Sequence, residues 1–311
     1  MSWMKKILSL IITLFVISLI TFFAFRVIPG DSAIAKLGME ATEEEVEALR
    51  EKMGLNDTLL VQYTRFISGA IQGDFGESTQ YNVAVSSLIA DRLPVTLWLA
   101  ALSFLLIVVV SIPVGLLVAK KQDGWLDKII TLFTQTFMAV PAFFLGILIT
   151  LLFGVILKWF APGSYVSPTK NFGAFFSYMI FPALAVAIPK IAMMVKTVKT
   201  SVLRELRLDY VRTAKSKGQS KTTILYRHVL KNALIPVITY LGLITAESLA
   251  GSIIVEQVFN LPGMGRLLVT AISNRDYPVA QAAVLYIAAI VVIVNFTVDL
   301  LYRIVDPRVR P

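Results

Sequence analysis

The 311-residue sequence contains no cysteine and only one histidine, His228. Without cysteine, the chain can form no disulfide bond, no cysteine-ligated metal site and no thiol nucleophile, and one histidine is too few for most metal sites and catalytic triads. We therefore expect His228 to pack or to form a hydrogen bond. Charged residues are also scarce, at 16% of the chain, whereas hydrophobic residues make up 57% and the mean hydropathy is +0.76. This balance excludes a soluble domain of this size.

The hydrophobic residues are grouped into blocks of about 20 residues, the length that a helix needs to cross a hydrocarbon core of roughly 30 Å. The first block is longer than the apolar part of a signal peptide, so we expect a retained membrane helix. The pattern predicts an all-α membrane protein with six transmembrane helices and both termini on the same side. The blocks are residues 7–28, 93–119, 129–157, 178–195, 233–255 and 279–301.

The net charge of +9 fits a membrane topology better than nucleic-acid binding. Lys and Arg are concentrated near both termini and in the connection between the fourth and fifth blocks, whereas residues 29–92 hold 11 of the 20 acidic residues. The positive-inside rule then predicts that both termini are cytoplasmic. A nucleic-acid surface would need aromatic residues among the basic ones, and this connection has few, so we expect no nucleic-acid partner.

Three segments follow from this topology. Residues 1–28 form the first transmembrane helix, residues 29–92 an external insertion, and residues 93–311 the transmembrane core. Within the insertion, Thr42 and Glu45 form a capping-box pattern that opens a helix, and Gly54 is placed to end it. This helix is either a solvated acidic helix or a surface on which an external partner rests.

The connection between the fourth and fifth blocks predicts a short cytoplasmic helix at about residues 209–218. Asp209 is placed to cap it, Gly218 suits a left-handed C-terminal residue, and Ser220 caps a second run that leads into the fifth membrane helix. Thr213 and Ala214 are small, so we expect them to leave one face low enough to lie in a groove of a partner. Composition alone favours the alternative, a basic loop at the membrane surface, by about two to one.

Three ionisable residues fall within the membrane blocks, where charges usually face a protein interior or a water-filled path. Lys190 follows a proline, and Glu247 lies in the middle of the fifth block. Glu247 either lines the translocation path or pairs with a neighbouring helix, and Lys190 is the second path candidate. Asp299 is expected to pair with Arg303, four residues further on. We expect bends at Pro113, Pro141, Pro182, Pro189 and Pro236.

Several long motifs together resemble one known family. The stretch DYVRTAKSKGQSKTTILYRHVLKNALIP (209–236) is similar to the cytoplasmic coupling motif of the dipeptide, oligopeptide and nickel permeases of binding-protein-dependent ATP-binding cassette importers. The remaining motifs resemble the B-type permease subunit of these importers along nearly the whole chain. They are RVIPGD (26–31), MGLNDTLLVQY (53–63), GDFGES (73–78), RLPVTLWL (92–99) and EQVFNLPGMGRLLVTAISNRDYP (256–278).

This resemblance implies a permease subunit in a bacterial inner membrane that forms half of a translocation pore. Its expected partners are a homologous second permease, two cytoplasmic ATP-hydrolysing subunits, an external solute-binding protein and membrane lipid. The chain itself is expected to bind no cofactor, because ATP and Mg²⁺ would be held by the ATPases. The sequence agrees, since it contains no G-x-x-x-x-G-K-[ST] phosphate loop.

The resemblance also assigns roles to residues. The broader importer motif begins Glu-Ala-Ala, where this chain has Arg212, Thr213 and Ala214, a variant common among peptide-type permeases. The external loop before the last membrane helix is expected to dock the binding protein at its tightest turn. The ATPase-coupling residues are Asp209, Tyr210, Arg212, Thr213, Ala214, Lys217 and Gly218, and the docking candidates are Asn260, Leu261, Pro262, Gly263, Gly265 and Arg266.

The expected cargo is a di- or oligopeptide, and the alternative within the family is a nickel chelate or another small solute. Coordination of a bare metal ion by this chain is not expected, because cysteine is absent and histidine nearly so. A membrane-embedded enzyme would need a paired catalytic set within the helices, and the sequence has none. A self-sufficient secondary transporter would more often show inverted-repeat halves, which are not visible here.

Overall fold

The computed structural model describes residues 3–27, 32–38 and 41–305, and helices dominate these segments. Outside the helices, the described residues contain one isolated antiparallel bridge, between Glu77 and Ala84. In chain order, the helices are α1 (Trp3–Val27), α2 (Ser32–Leu37), α3 (Glu43–Lys52), α4 (Leu59–Gln72), α5 (Val85–Lys120), α6 (Trp125–Ala139), α7 (Ala142–Ile149), α8 (Phe172–Glu205), α9 (Asp209–Ser216), α10 (Lys221–Thr223), α11 (Leu230–Val258), α12 (Met264–Ser273) and α13 (Tyr277–Val305). A π-helical segment extends α7 over Thr150–Ile156, and another, Ile224–Val229, joins α10 to α11.

Five helical segments in the described part of the chain are long and apolar enough to cross a membrane, which confirms an all-helical, multi-pass class. They are Ile7–Arg26, Val85–Lys120, Phe172–Glu205, Lys221–Ser248 and Tyr277–Val298. Several run beyond the predicted blocks because hydropathy marks only the apolar part, whereas a helix continues through polar residues. At about 1.5 Å per residue, α8 is roughly 50 Å long, well beyond the hydrocarbon thickness.

The third predicted span, 129–157, is bent in its middle, which confirms the bend expected at Pro141. Trp125–Ala139 and Ala142–Ile156 are bent by 103° at a short break. Val140 at the break has extended backbone angles, φ −89° and ψ 122°, as expected for the residue before Pro141. Six spans are obtained only if this bent pair crosses the membrane as one.

The described residues divide into two compact units, of which unit 1 comprises Met1–Leu97 and Leu261–Ile293. Its α1 and α4 are joined by a 2.8 Å hydrogen bond between the hydroxyl groups of Ser18 and Tyr63. The predicted capping box of α3 is confirmed. The Thr42 hydroxyl accepts from the Glu45 amide at 3.3 Å, and the Glu45 carboxylate accepts from the Thr42 amide at 2.9 Å. Gly54 follows with a left-handed φ of +66°, also as predicted.

A buried aspartate holds the loop that precedes α5 in unit 1. Asp276 is 1% exposed, and its carboxylate accepts a 2.5 Å hydrogen bond from the Ser78 hydroxyl. The backbone amides of Thr79 and Gln80 donate to the same carboxylate, at 3.2 and 3.4 Å. Hydrogen bonds to an ionised group are stronger than neutral ones, so this residue fixes the loop against the start of α13.

Unit 2 comprises Trp98–Asn260 and Val294–Pro311, and α8 is its central helix, in contact with α6, α7 and α11. Close backbone approaches hold its helices together. A Cβ atom at Gly115 would lie 2.6 Å from the Cβ of Val198, and one at Gly242 would overlap the side chain of Val298. Small residues at such crossings are typical of membrane helix packing.

An ion pair in unit 2 joins the first turn of α6 to α8. Lys199 Nζ lies 2.5 Å from Asp127 Oδ1, and the aspartate side chain is 6% exposed. The same carboxylate accepts from the Asp123 amide at 3.0 Å and from the Thr131 hydroxyl at 3.0 Å. A buried carboxylate that is paired and hydrogen-bonded in this way stabilises one position of α6 on α8.

Candidate coupling and translocation site

The predicted short helix between the fourth and fifth spans is present as α9, but its first turn differs from the expectation. Asp209 was predicted to cap the helix, and this is wrong, because the capping position is Leu208 and Asp209 is already the first helical residue. Its carboxylate pairs with Arg212 Nη1 at 3.3 Å, and both side chains are exposed. An exposed pair contributes little, although a negative charge in the first turn is favourable to the helix dipole.

The two faces of α9 have different surroundings. Val211 is fully buried and Ala214 is nearly so, and both belong to the hydrophobic core of unit 2, together with residues of α5, α8 and α11. The expectation that Ala214 offers a low face to a partner is therefore wrong, since its side chain packs into its own chain. The exposed face carries Asp209, Arg212, Thr213 and Ser216. Their spacing of three, four and seven residues places them on one side of a helix.

Tyr210 fastens α9 to two longer helices. Its hydroxyl donates a 2.8 Å hydrogen bond to Glu205 Oε2, at the end of α8, and also bonds the side chain of Asn232, at the start of α11. Burial, reinforced by the Glu205 carboxylate, raises the pKa of Tyr210 above its usual value, so the phenol stays neutral at physiological pH. Sequence reasoning missed Glu205 and Asn232, because nothing local marks them as partners of Tyr210.

The C-terminal end of α9 follows the predicted pattern. Gly218 has φ +74°, and its amide donates to the Lys215 carbonyl at 2.9 Å, while the next amide donates to the Ala214 carbonyl at 3.3 Å. This double closure is the Schellman motif, which favours glycine at the left-handed position. Lys217 just before it is exposed. The turn sets the direction in which the chain leaves α9.

The chain then enters α11 as expected. The Ser220 hydroxyl accepts from the Thr223 amide at 3.2 Å, which confirms Ser220 as the cap. A hydrogen bond of 2.8 Å between His228 Nε2 and Gln219 Oε1 confirms the hydrogen-bonding role expected of the single histidine. Helical backbone is continuous from α10 through the π-helical turn to α11, so α9 and α11 are linked by only a few non-helical residues.

The structure brings the two path candidates together. Lys190 Nζ on α8 lies 3.6 Å from Glu247 Oε2 on α11. The lysine side chain is 14% exposed, whereas the glutamate side chain is 51% exposed. The expected pairing of Asp299 concerns side chains outside the described residues. Within the described part of the chain, no three His, Asp or Glu side chains are grouped so as to hold a metal ion.

The predicted docking turn is only partly accessible. Met264, inside this turn, donates its backbone amide to the Thr96 hydroxyl at 2.8 Å, which fixes the start of α12. Asn260 has a left-handed φ of +55°. Of the docking candidates, Asn260 is exposed, Pro262 and Arg266 are partly exposed, and Leu261, Gly263 and Gly265 are buried.

Long apolar helices with a short amphipathic helix seated between two of them define a polytopic membrane subunit. The chain belongs to the family of inner membrane components of binding-protein-dependent transport systems, because the model of that family matches residues 111–311. The N-terminal model of the same membrane components matches residues 2–100.

Similar proteins match this chain along its whole length. A probable peptide ABC transporter permease protein of Sinorhizobium fredii is 35% identical, over 99% of this chain and 98% of the relative. A putative peptide transport system permease protein of Brucella abortus is 37% identical, with the same coverage. The glutathione transport system permease protein of Escherichia coli K12 is 38% identical, over 98% of this chain and 97% of the relative.

Proposed function

We propose that this chain is the permease subunit of an ATP-driven, binding-protein-dependent importer of peptides, and that it forms half of the translocation pore. The membership of the family supports the importer class. The cargo is proposed from the relatives, whose names specify peptide or glutathione transport, and glutathione is itself a tripeptide. A homologous second permease would complete the pore.

In this proposal, α9 is the helix through which one of the two partner ATPases acts on the membrane helices. The observation that carries the proposal is the amphipathic character of α9, which is seated on its own chain through Val211 and Ala214 and exposed on the other face. A partner that moves the exposed face must move α8 and α11 as well, because Tyr210 is bonded to both. ATP and Mg²⁺ belong to the partner subunits, and this chain performs no hydrolysis.

The proposed orientation follows from charge. The segment around α9 carries many Lys and Arg residues, which favours the cytoplasmic side for it and for both termini. Residues 29–92 and the loop before α13 then face outward, towards a solute-binding protein. Within that loop, Asn260, Pro262 and Arg266 have the accessibility that docking requires, and the buried Leu261, Gly263 and Gly265 would act by shaping the turn.

The proposal is tested by affinity purification of the tagged chain from native membranes, with mass spectrometry of the proteins that copurify. The complex is then assayed for ATP hydrolysis with its binding protein and candidate peptides. We expect a second permease, ATPase subunits and peptide-stimulated hydrolysis. Transport activity by the chain alone would contradict the proposal, and stimulation by a nickel chelate but by no peptide would contradict the cargo.

A further inference from the structure

The ion pair between Lys190 and Glu247 has an asymmetry that a purely structural pair does not require. Both residues lie within membrane-length helices, yet Lys190 is largely buried while about half of the Glu247 side chain is exposed in the isolated chain. An ionised carboxylate facing lipid near the middle of a span costs several kcal/mol, and such groups therefore face protein or water-filled cavities. In the assembled membrane protein, this side of α11 must accordingly be turned away from lipid.

The neighbouring residues define which face is involved. Thr239, Leu243 and Glu247 follow one another at intervals of four residues, and all three are exposed. Ala246 and Ser248, on either side of the glutamate, are buried. Thr239, Leu243 and Glu247 therefore form an exposed stripe along α11. Glu247 is the acidic residue of this stripe.

We propose that Glu247 is a subsite on the solute path that binds the positively charged amino terminus of a passing peptide, with Lys190 orienting the carboxylate. This inference rests on the proposed function, since it assumes peptide cargo. A carboxylate has about four acceptor positions, and the ion pair with Lys190 at 3.6 Å leaves capacity for an ammonium group.

The buried lysine also explains why such a subsite can release its ligand. Lys190 lies 3.6 Å from the Glu247 carboxylate and offsets part of its charge, so the empty subsite attracts a cation less strongly than a lone carboxylate would. Transport requires binding that is favourable enough to admit the solute and weak enough to let it leave. An ammonium terminus that shares the carboxylate with Lys190 is held less tightly than it would be alone, which meets that requirement.

The first test measures whether the stripe faces water, and it uses the natural absence of cysteine from this chain. Glu247→Cys and Ala246→Cys are each introduced into the assembled importer and treated with a charged methanethiosulfonate reagent. Modification of this chain is followed by mass spectrometry. We expect position 247 to react and its buried neighbour 246 not to react. Absence of modification at 247 would overturn the inference, because the stripe would then not face water.

The second test addresses the charge that is recognised. Uptake of one peptide with a free amino terminus is compared with uptake of its N-acetylated form, at concentrations that saturate the binding protein. We expect the preference for the free amine to fall roughly tenfold in Glu247→Gln, as the loss of one hydrogen bond between charged groups implies, and to be retained in Glu247→Asp. An unchanged preference in Glu247→Gln would overturn the inference, as would failure of that variant to assemble, which would make the pair structural.

The two proposals fail in different ways. If the wild-type chain copurifies with ATPases and imports peptides while Glu247→Gln keeps the same preference, only the subsite is wrong. If no ATPase copurifies, the proposed function itself is wrong.

Discussion

The Tyr210 hydroxyl on α9 lies 2.8 Å from Glu205 Oε2, and this hydrogen bond connects the short helix to the end of α8. Because Asn232 bonds the same hydroxyl, one phenol joins three helices. A displacement of α9 is therefore passed to two membrane helices through a polar contact as well as through the apolar packing of Val211.

Tyr210→Phe removes this connection and keeps the ring. We expect a loss of about 1 kcal/mol of stability, the usual net contribution of one hydrogen bond, and more ATP hydrolysed per peptide imported, because ATPase motion reaches α8 and α11 less completely. The measurement is the ratio of ATP hydrolysis to peptide uptake in proteoliposomes. Tyr226→Phe is the matched control, since Tyr226 is exposed on the same connection. Equal ratios in the two variants would remove the coupling role from Tyr210.

Substitutions at two adjacent positions of α9 should distinguish an effect on partner docking from an effect on folding. Thr213 is exposed and Ala214 is buried. Thr213→Trp should fold normally and lose copurifying ATPase, because an indole ring enlarges the exposed face. Ala214→Trp should instead lower the free energy of unfolding by about 1–3 kcal/mol, because the larger side chain overpacks the core. The measurements are the melting temperature in detergent and the amount of bound ATPase. Normal ATPase binding by Thr213→Trp would show that the partner uses another surface.

The ion pair of Asp127 with Lys199 predicts a large effect from a small change. Asp127→Asn leaves the ammonium group of a mostly buried lysine without its counter-charge, and we expect a loss of about 3 kcal/mol. Adding Lys199→Met to Asp127→Asn should restore part of the lost stability, because the unpaired ammonium group is then removed. Thermal unfolding in detergent measures both. Asp123→Asn is the control, because its exposed side chain can be replaced while its backbone amide still donates to Asp127.

Substitution of Asp276 should also destabilise the protein. Asp276→Asn replaces an ionised acceptor of three hydrogen bonds by a neutral one, and we expect a loss of about 2 kcal/mol and faster proteolysis of the loop at Ser78. Limited proteolysis followed by mass spectrometry checks this prediction. Asp91→Asn, at an exposed position of α5, should behave as the wild type. Identical cleavage in both variants would mean that the carboxylate does not hold the loop.

The start of α3 should depend on pH. The Thr42 amide, followed by the Thr42 hydroxyl, lowers the pKa of Glu45 by bonding its ionised form. A lowered pKa in the folded state gives stability that is present above the unfolded value of about 4.3 and is lost as pH falls through the folded value. We expect protection of the α3 amides from hydrogen exchange to be retained above about pH 4.3 and to fall as the pH is lowered further. Glu45→Gln keeps the capping box without titrating and should show no such fall.

The features that could be predicted from the sequence are those that depend only on residues close together in the chain. The capping pair Thr42 and Glu45, the left-handed Gly218 and the cap Ser220 act within a few residues, so their positions could be predicted without knowledge of the fold. The apolar blocks predicted the membrane class for the same reason, since the length of a span is set by the bilayer and not by its neighbours.

The sequence did not show which face of a helix is buried, or which residues far apart in the chain make contact. Ala214 was wrongly expected on the exposed face of α9. The sequence of an eight-residue helix does not show which face its neighbours in the fold will cover. Lys190 and Glu247 were recognised separately, but their contact depends on how α8 and α11 pack. The bend at Pro141 was expected because the effect of proline is local, but its angle of 103° depends on how α6 and α7 pack.

The 103° bend at Pro141 has a mechanical consequence. Proline has no amide hydrogen, so the helical hydrogen-bond ladder is already interrupted where α6 meets α7. A change in the angle between these two arms needs only backbone rotation at the break and sacrifices no intrahelical hydrogen bond there. Since α6 packs on α8 while α7 packs on both α8 and α11, we expect the two arms to follow different neighbours if these helices move.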